Sequence, residues 1–238
     1  DISGAETVKF DDRSWEVVST PHTVELMPAE ASGCRNYQGP VWYRKHFVVP
    51  AETKGQRVSI HFEAAMGKQI LYLNGKRIQE HIGGYLPFTL DLTTYGVQAG
   101  DSCLLAVFVD NSDDKSYPPG KRQYTLDFTY HGGIYRDVWL TAVPKQHFHL
   151  TNYGSEGIFI STPQVSEEKG TILIRGAIKN DAKQKASLEL EHIIYNPDGS
   201  IAQTQKQSIQ IKGGELYSFR TETAPILSPR LWAPEAPH

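Results

Sequence analysis

Two groupings in this chain have residue types suited to chemistry: adjacent carboxylates and closely spaced histidines. The carboxylate pairs are Asp11-Asp12, Asp113-Asp114 and Glu167-Glu168. Carboxyl groups about 5–5.5 Å apart, or about 6.5–9.5 Å apart, can cleave a glycosidic bond with retention or inversion. Immediate neighbours on an extended chain point to opposite faces, so none of these pairs can clamp one bond. They read as solvated turn residues, with Asp11 and Asp12 shaping a turn through bonds to the backbone. His147-Phe148-His149 puts both imidazoles on one face of a strand. That is part of a zinc site, but a third ligand at a recognisable spacing is missing. The reading is therefore no metal, no cofactor and no catalytic residue within this chain. A nucleophile elbow, a P-loop and a dinucleotide fingerprint are likewise missing from the sequence.

Other residues have the character of binding groups. Asp110-Asn111 follows the apolar run from Cys103 to Val109, where a buried strand must give way to a loop. A carboxylate beside an amide can pair with several sugar hydroxyls. The same residue types also cap loops without any ligand. Asn36 stands in a comparable place before Gly39-Pro40-Val41-Trp42. Gly132-Gly133 marks a bulge or a close backbone approach. Arg136, beside Asp137, carries a guanidinium fork suited to a fixed carboxylate partner on a neighbouring domain. Trp15 and Trp42 have rings that stack on sugars, but their patterned surroundings favour core packing.

The elements that must position these groups alternate with period two. In Arg57–Glu63, Val58, Ile60 and Phe62 point one way while Ser59, His61 and Glu63 point the other, the pattern of a half-buried strand. Asn74-Gly75 sits between apolar runs and predicts a type I′ hairpin. Cys103–Val109 is apolar throughout and reads as a strand covered on both faces. No helix-length apolar stripe appears, so residues 1–143 read as an all-β jelly-roll sandwich. Near Pro144 the composition shifts to more Lys, Gln and Ser. Strands are expected at Thr171–Ile178 and Leu188–Tyr195, with a turn at Asn196-Pro197-Asp198-Gly199. Ser208–Ile211 and Leu216–Phe219, joined across Gly213-Gly214, read as a further hairpin. This spacing predicts an immunoglobulin-like sandwich over residues 144–238.

Composition narrows the class. The chain has 238 residues, net charge −3, twelve Tyr and four Trp. A basic patch for nucleic acid is lacking. No run approaches the roughly eighteen apolar residues of a membrane span. The two cysteines, Cys34 and Cys103, read as buried hydrophobes rather than a bridged pair. The chain opens on Asp1, not Met, and both ends read as cut, so the absence of a leader says nothing of location.

The motifs fall in a fixed order: Phe10–Trp15, Pro21-His22, Gly39–Arg44, Leu71–Gly75, His81–Phe88, Val109–Asn111 and Asp127–Leu140. Together they resemble the N-terminal, sugar-binding-like domain of glycoside hydrolase family 2, whose members include β-galactosidases, β-glucuronidases and β-mannosidases. Leu231–Glu235 resembles that family's approach to its catalytic barrel. The resemblance implies a retaining hydrolase whose catalytic glutamates lie in a barrel outside this sequence. It implies a non-catalytic front end supplying scaffold and part of the active-site rim, with β-galactosidase the first expectation for the parent. It implies that Asp110, Asn111 and Asn36 approach sugar hydroxyls at the barrel mouth. It also implies an immunoglobulin-like domain missing its last strands, a carbohydrate partner reached through the barrel, room for a homo-oligomer, and by analogy a periplasmic or secreted location. A stand-alone carbohydrate-binding module and a structural adaptor are the rival classes.

Overall fold

The computed structural model describes residues 2–27, 36–126, 128, 131–149 and 154–236. The chain divides into two compact units, Asp1–Ala142 and Val143–His238. Regular structure is almost entirely β, as the alternating pattern requires.

The first unit is a sandwich. Its strands are β1 (Pro40–Val48), β2 (Arg57–Phe62), β3 (Lys68–Leu73), β4 (Lys76–Ile82), β5 (Phe88–Asp91), β6 (Ser102–Asp110) and β7 (Val138–Val143). One sheet has the order β1-β6-β3-β4 and the other β5-β2-β7. The inward residues of β2 are buried and the outward ones half-buried, as the alternation predicts. Phe62 of β2 stacks on Phe88 of β5 with ring centroids 4.6 Å apart. Leu71, Leu90, Val107 and Val109 fill the space between the sheets. Each large apolar side chain buried in this way contributes about 1.5–3 kcal/mol relative to exposure. β3 and β4 form the hairpin, and Asn74 and Gly75 both take positive φ, 50° and 83°. β6 lies between β1 and β3 and is buried along most of its length. Its outward Phe108 lies against Trp42, 5.3 Å between centroids, and Trp42 also touches Tyr72 at 5.6 Å. Trp42 therefore packs in an aromatic group on the outer face of this sheet, not in the core between the sheets that its patterned surroundings favoured; Val41 and Tyr43 are the β1 residues turned to that core.

Residues 2–15 are turns rather than strand, and one side chain fastens them. Arg44 projects from β1 with its side chain only 1% exposed. It donates to Asp12 Oδ2 at 2.7 Å, to Thr7 O at 3.0 Å and to the carbonyl of Ala5. Its guanidinium lies 5.4 Å from the Phe10 ring centroid. A buried guanidinium needs this many acceptors, because an uncompensated buried charge is strongly destabilising. Phe10 in turn meets Trp15 edge to face at 5.3 Å.

The second unit contains β8 (Gln146–Phe148), β9 (Ile158–Val165), β10 (Lys169–Asn180), β11 (Ala186–Tyr195), β12 (Ile201–Ile211), β13 (Leu216–Glu222) and β14 (Ile226–Leu227). β10 is the hub, pairing with β8, β9, β13 and β14, while β11 pairs with β12. Ile174, Ile178, Leu190, Ile209, Ile211 and Phe219 form the core. The Asn196–Gly199 turn is present, with Gly199 at φ 84°. One expectation is corrected. β12 and β13 are not a hairpin, because they belong to different sheets. The buried amide of Asn180 explains the crossing: its Nδ2 donates to the carbonyls of Gln184, Ile211 and Lys212. The Asn180 backbone also bonds to Gly214 and Glu215. These bonds hold the 211–215 turn to the end of β10 instead of letting it close on itself.

The hydrogen bond from Arg44, first among its causes, holds the Asp12 carboxyl below its ordinary value. A depressed folded-state value stabilises the fold above the unfolded value, about pH 4. That stability is lost as pH falls through the folded value. Asp12→Asn is therefore expected to be less stable than the parent chain at pH 7, with the difference narrowing below about pH 4. Urea midpoints at neutral and acidic pH check this. A constant difference would show that Asp12 titrates as a free carboxyl.

Candidate functional site

The best-built polar assembly in the first unit lies at one end of its sandwich. Pro40 of β1 pairs with Asp110 of β6, Asp110 with Lys68 of β3, and Lys68 with Ile82 of β4. The segments 36–39, 63–67, 83–87 and 111–126 leave the sheets here, joined by 131–135.

Asn111 stands at the centre, 2% exposed. Its Oδ1 accepts from Gly39 N at 2.9 Å and its Nδ2 donates to Tyr37 O at 2.7 Å. Around it the backbone approaches so closely that side chains are excluded. A Cβ on Gly132 would lie 2.7 Å from Asn111 Nδ2, and one on Gly67 would lie 2.0 Å from Asp110 O. A Cβ on Gly133 would meet the Tyr43 hydroxyl at 2.3 Å. Backbone bonds close the assembly: Met66 N to Gly133 O at 3.0 Å, Gly83 N to Gly67 O at 2.9 Å, and Val24 N to Gly132 O at 3.0 Å. The Tyr135 hydroxyl donates to Gly84 O.

The other polar groups are engaged locally. Asp110 Oδ1 accepts from Ser112 N at 2.9 Å and from Ser112 Oγ at 2.6 Å. Asp113 Oδ1 accepts from Gln38 Nε2 at 2.8 Å and Gln123 N at 2.9 Å. Asp114 accepts from Ser116, whose hydroxyl and backbone N–H hold its carboxyl below the ordinary value. These three carboxylates organise loops, with bonds that include hydroxyl, amide and backbone donors. Asn36 is half-buried, one residue before the Tyr37 carbonyl that Asn111 binds. Behind the rim, His22 Nδ1 and the Tyr43 hydroxyl are 2.8 Å apart. Burial pushes the Tyr43 hydroxyl up, offset in part by the backbone N–H of Ile134. Tyr85 and Leu86 are exposed on the 83–87 segment.

The remaining sequence candidates are dispersed. Asp11 binds Arg13 while Asp12 binds Arg44, so that pair divides between two partners. His147 Nδ1 faces Pro144 O at 3.1 Å, and the His149 backbone N–H bonds to Ala177 O. Among the described residues no group of three or more His, Cys, Asp or Glu gathers to hold a metal. No helix among them is long and apolar enough to cross a membrane. Arg136 is exposed and lies 5.8 Å from the Tyr135 ring centroid, and the Asp137 carbonyl accepts from Glu63 N at 3.1 Å. Cys103 is buried and free; Cys34, with Asp127, Thr129 and Tyr130 of the motif, lies outside the described residues. Sequence reasoning passed over Tyr37, Gln38 and Gly67. The only signal for them was proximity to Asn36 and Gly39, and the Gly after Met66.

The Asn111 amide is expected to be structural in its own right. In Asn111→Ala the Gly39 N–H and the Tyr37 carbonyl lose their partner in a buried setting. The expected cost is about 2–4 kcal/mol, measured by urea unfolding. A loss under about 1 kcal/mol would show that water substitutes for the amide.

A family model described as the sugar binding domain of glycosyl hydrolases family 2 matches residues 6–144. A β-glucuronidase of Formosa agariphila is 28% identical over 98% of this chain and 25% of its own length. A β-galactosidase of Thermoanaerobacter pseudethanolicus is 29% identical over 100% of this chain and 30% of its own. The structure of Bacteroides uniformis β-glucuronidase 2, covalently bound to cyclophellitol-6-carboxylate aziridine, superposes with TM-score 0.87. It is 45% identical, covering 99% of this chain and 27% of its own. The chain thus spans about a quarter to a third of the length of the relatives it matches.

Proposed function

Because this chain belongs to glycosyl hydrolase family 2, we propose that it is the sandwich portion of a retaining β-glycosidase and that the parent enzyme cleaves terminal β-glucuronides. The parent's two catalytic carboxyl groups would lie in the part of its relatives that this chain does not span. Retention requires that pair about 5–5.5 Å apart, and the rim carboxylates Asp110, Asp113 and Asp114 are engaged in holding loops instead, Asp113 joining its own loop to Gln38. The observation that carries the choice of sugar is the higher identity to the Bacteroides uniformis β-glucuronidase than to the Thermoanaerobacter β-galactosidase. A 6-carboxylate on the inhibitor bound there stands where a uronic acid carries its acid group, and covalent capture fits a nucleophilic carboxylate. The first expectation of a β-galactosidase parent becomes the runner-up, supported by the Thermoanaerobacter relative.

Within this reading the rim residues divide their labour. Asp110 and Asn36 face the sugar hydroxyls. Asn111 acts as a positioning residue, since both ends of its amide hold the segment that follows Asn36. Arg136 and Asp137 serve the attachment of neighbouring parts of the parent. None of the rim carboxylates described above serves as the reacting pair in this reading, and the segment alone supplies no bond cleavage.

The test is to assay the full-length protein and the 238-residue chain side by side on aryl β-glucuronide, β-galactoside and β-mannoside. The full-length protein is expected to prefer the glucuronide in kcat/KM, with no hydrolysis by the chain alone. Preference for the galactoside would overturn the sugar, and hydrolysis by the chain alone would overturn the non-catalytic role. In the full-length enzyme, Asp110→Ala is expected to lower kcat/KM about tenfold or more, the scale of one lost hydrogen bond to a charged group. An unchanged value would leave Asp110 as a loop cap.

A further inference from the structure

The outer face of the β5-β2-β7 sheet has a composition unlike an ordinary solvated surface. Val58, Ile60 and Phe62 of β2 are buried inward, which turns Ser59, His61 and Glu63 outward. Val138 of β7 packs against the same core, so Trp139 faces out with Glu63. Trp139 is 52% exposed, yet its indole is oriented: Nε1 donates to Glu63 Oε1 at 2.9 Å. The surrounding polar side chains are tied in pairs across the strands. Ser59 Oγ and Thr141 Oγ1 are 2.8 Å apart, and His61 Nδ1 and Thr89 Oγ1 are 2.9 Å apart. Arg57 is ion-paired with Asp91.

We propose that this face is a second carbohydrate contact, a platform on which a neutral glycan chain lies with one pyranose ring stacked on Trp139. An oriented indole offers a large, rigid contact area at little entropic cost. Hydroxyl, imidazole and carboxylate groups beside it can exchange hydrogen bonds with ring hydroxyls. The face has one large exposed apolar plate in a polar field, whereas the centre of a protein–protein contact is apolar and depleted of charge. Its charge selects among glycans. The Arg57 cation is already paired with Asp91, and the Glu63 carboxylate stands at the edge of the indole, so an acidic sugar placed there would meet a like charge. The location extends the reach of the rim. Loop 63–67 begins at Glu63, and residues 131–135 precede Trp139 by a few positions, so platform and rim share one end of the sandwich. The platform would then hold the body of a glycan whose terminal residue is presented at the rim, a role that rests on the glycosidase reading above.

The test is affinity electrophoresis of the full-length protein through gels containing β-1,4-galactan, mixed-linkage β-glucan or arabinoxylan, with hyaluronan as the acidic comparison. Retardation by at least one neutral polymer and not by hyaluronan is expected. Trp139→Ala should weaken it about tenfold or more, while Trp139→Tyr, which keeps an aromatic plate, retains most of it. The kcat/KM on the aryl glycoside should stay unchanged in both variants. No retardation by any neutral polymer, retardation by hyaluronan alone, or equal retardation of Trp139→Ala would each overturn the platform. Absence of aryl glycoside hydrolysis would count against the glycosidase reading instead, and Trp139-dependent retardation would stand apart from it.

Discussion

The first unit depends on how closely four stretches of backbone approach one another around the Asn111 amide. Gly67, Gly132 and Gly133 admit no Cβ where they stand, because an oxygen or nitrogen already occupies that space. Backbone at such range exposes polar groups that lack room for water, and each needs a partner. Asn111 supplies one acceptor and one donor in a single planar group, matched to the Gly39 N–H and the Tyr37 carbonyl. An aspartate would lose the donor, and a leucine would lose both. The glycines and the amide therefore require each other: the glycines let the chains come close, and the amide makes that closeness tolerable.

The same solution recurs elsewhere in the chain. Asn180 joins the end of β10 to three carbonyls and so sends β12 and β13 into different sheets. Arg44 gathers the turns of residues 2–15 onto β1. In each case apolar burial provides most of the stabilisation, while a buried polar side chain selects one arrangement of loops among many of similar burial. A fully satisfied buried polar group adds little net stability, yet it is costly to leave half-satisfied, and that asymmetry favours one geometry.

This explains what could be read from the sequence. Strands β2, β3 and β6 and the Asn74-Gly75 hairpin were legible because period-two burial and positive φ leave local signatures in residue type. The place of Trp42 was not: alternation told that it shares a face with every second residue of β1, but not that this face is the outer one, where it meets Phe108 and Tyr72. The β12–β13 relation was misread because a Gly-Gly between two apolar runs looks the same whether the chain turns back or crosses to another sheet. The deciding contact is Asn180, about thirty positions upstream, and no local rule points to it. At the rim, Asp110 and Asn111 were singled out by place, at the end of a buried strand. Their different settings were not legible, because Asp and Asn share the same short-range habits. Only the geometry shows that the Asn111 side chain is buried between Tyr37 and Gly39, while Asp110 is half-buried at the end of β6 and bonded to Ser112.

On the reading proposed above, these loops serve an enzyme whose bond-cleaving groups lie outside this chain. A polar group that touches a sugar hydroxyl raises the rate only if it fits the reacting geometry better than the bound substrate. Displacement by about 1 Å can cost two orders of magnitude in rate. Loops alone do not hold such tolerance, since they are the mobile parts of most folds. Here the loops are tied to one another by specific bonds: Asn111 to Tyr37 and Gly39, Asp113 to Gln38 and Gln123, and Met66 to Gly133. The rigid sandwich behind them transmits its precision to the loop tips, as a site carried on strands does better than one on free loops. The side chain that matters most for binding need not touch the ligand. An amide that fixes where its neighbours stand exerts as much control over the contact as the neighbour that makes it.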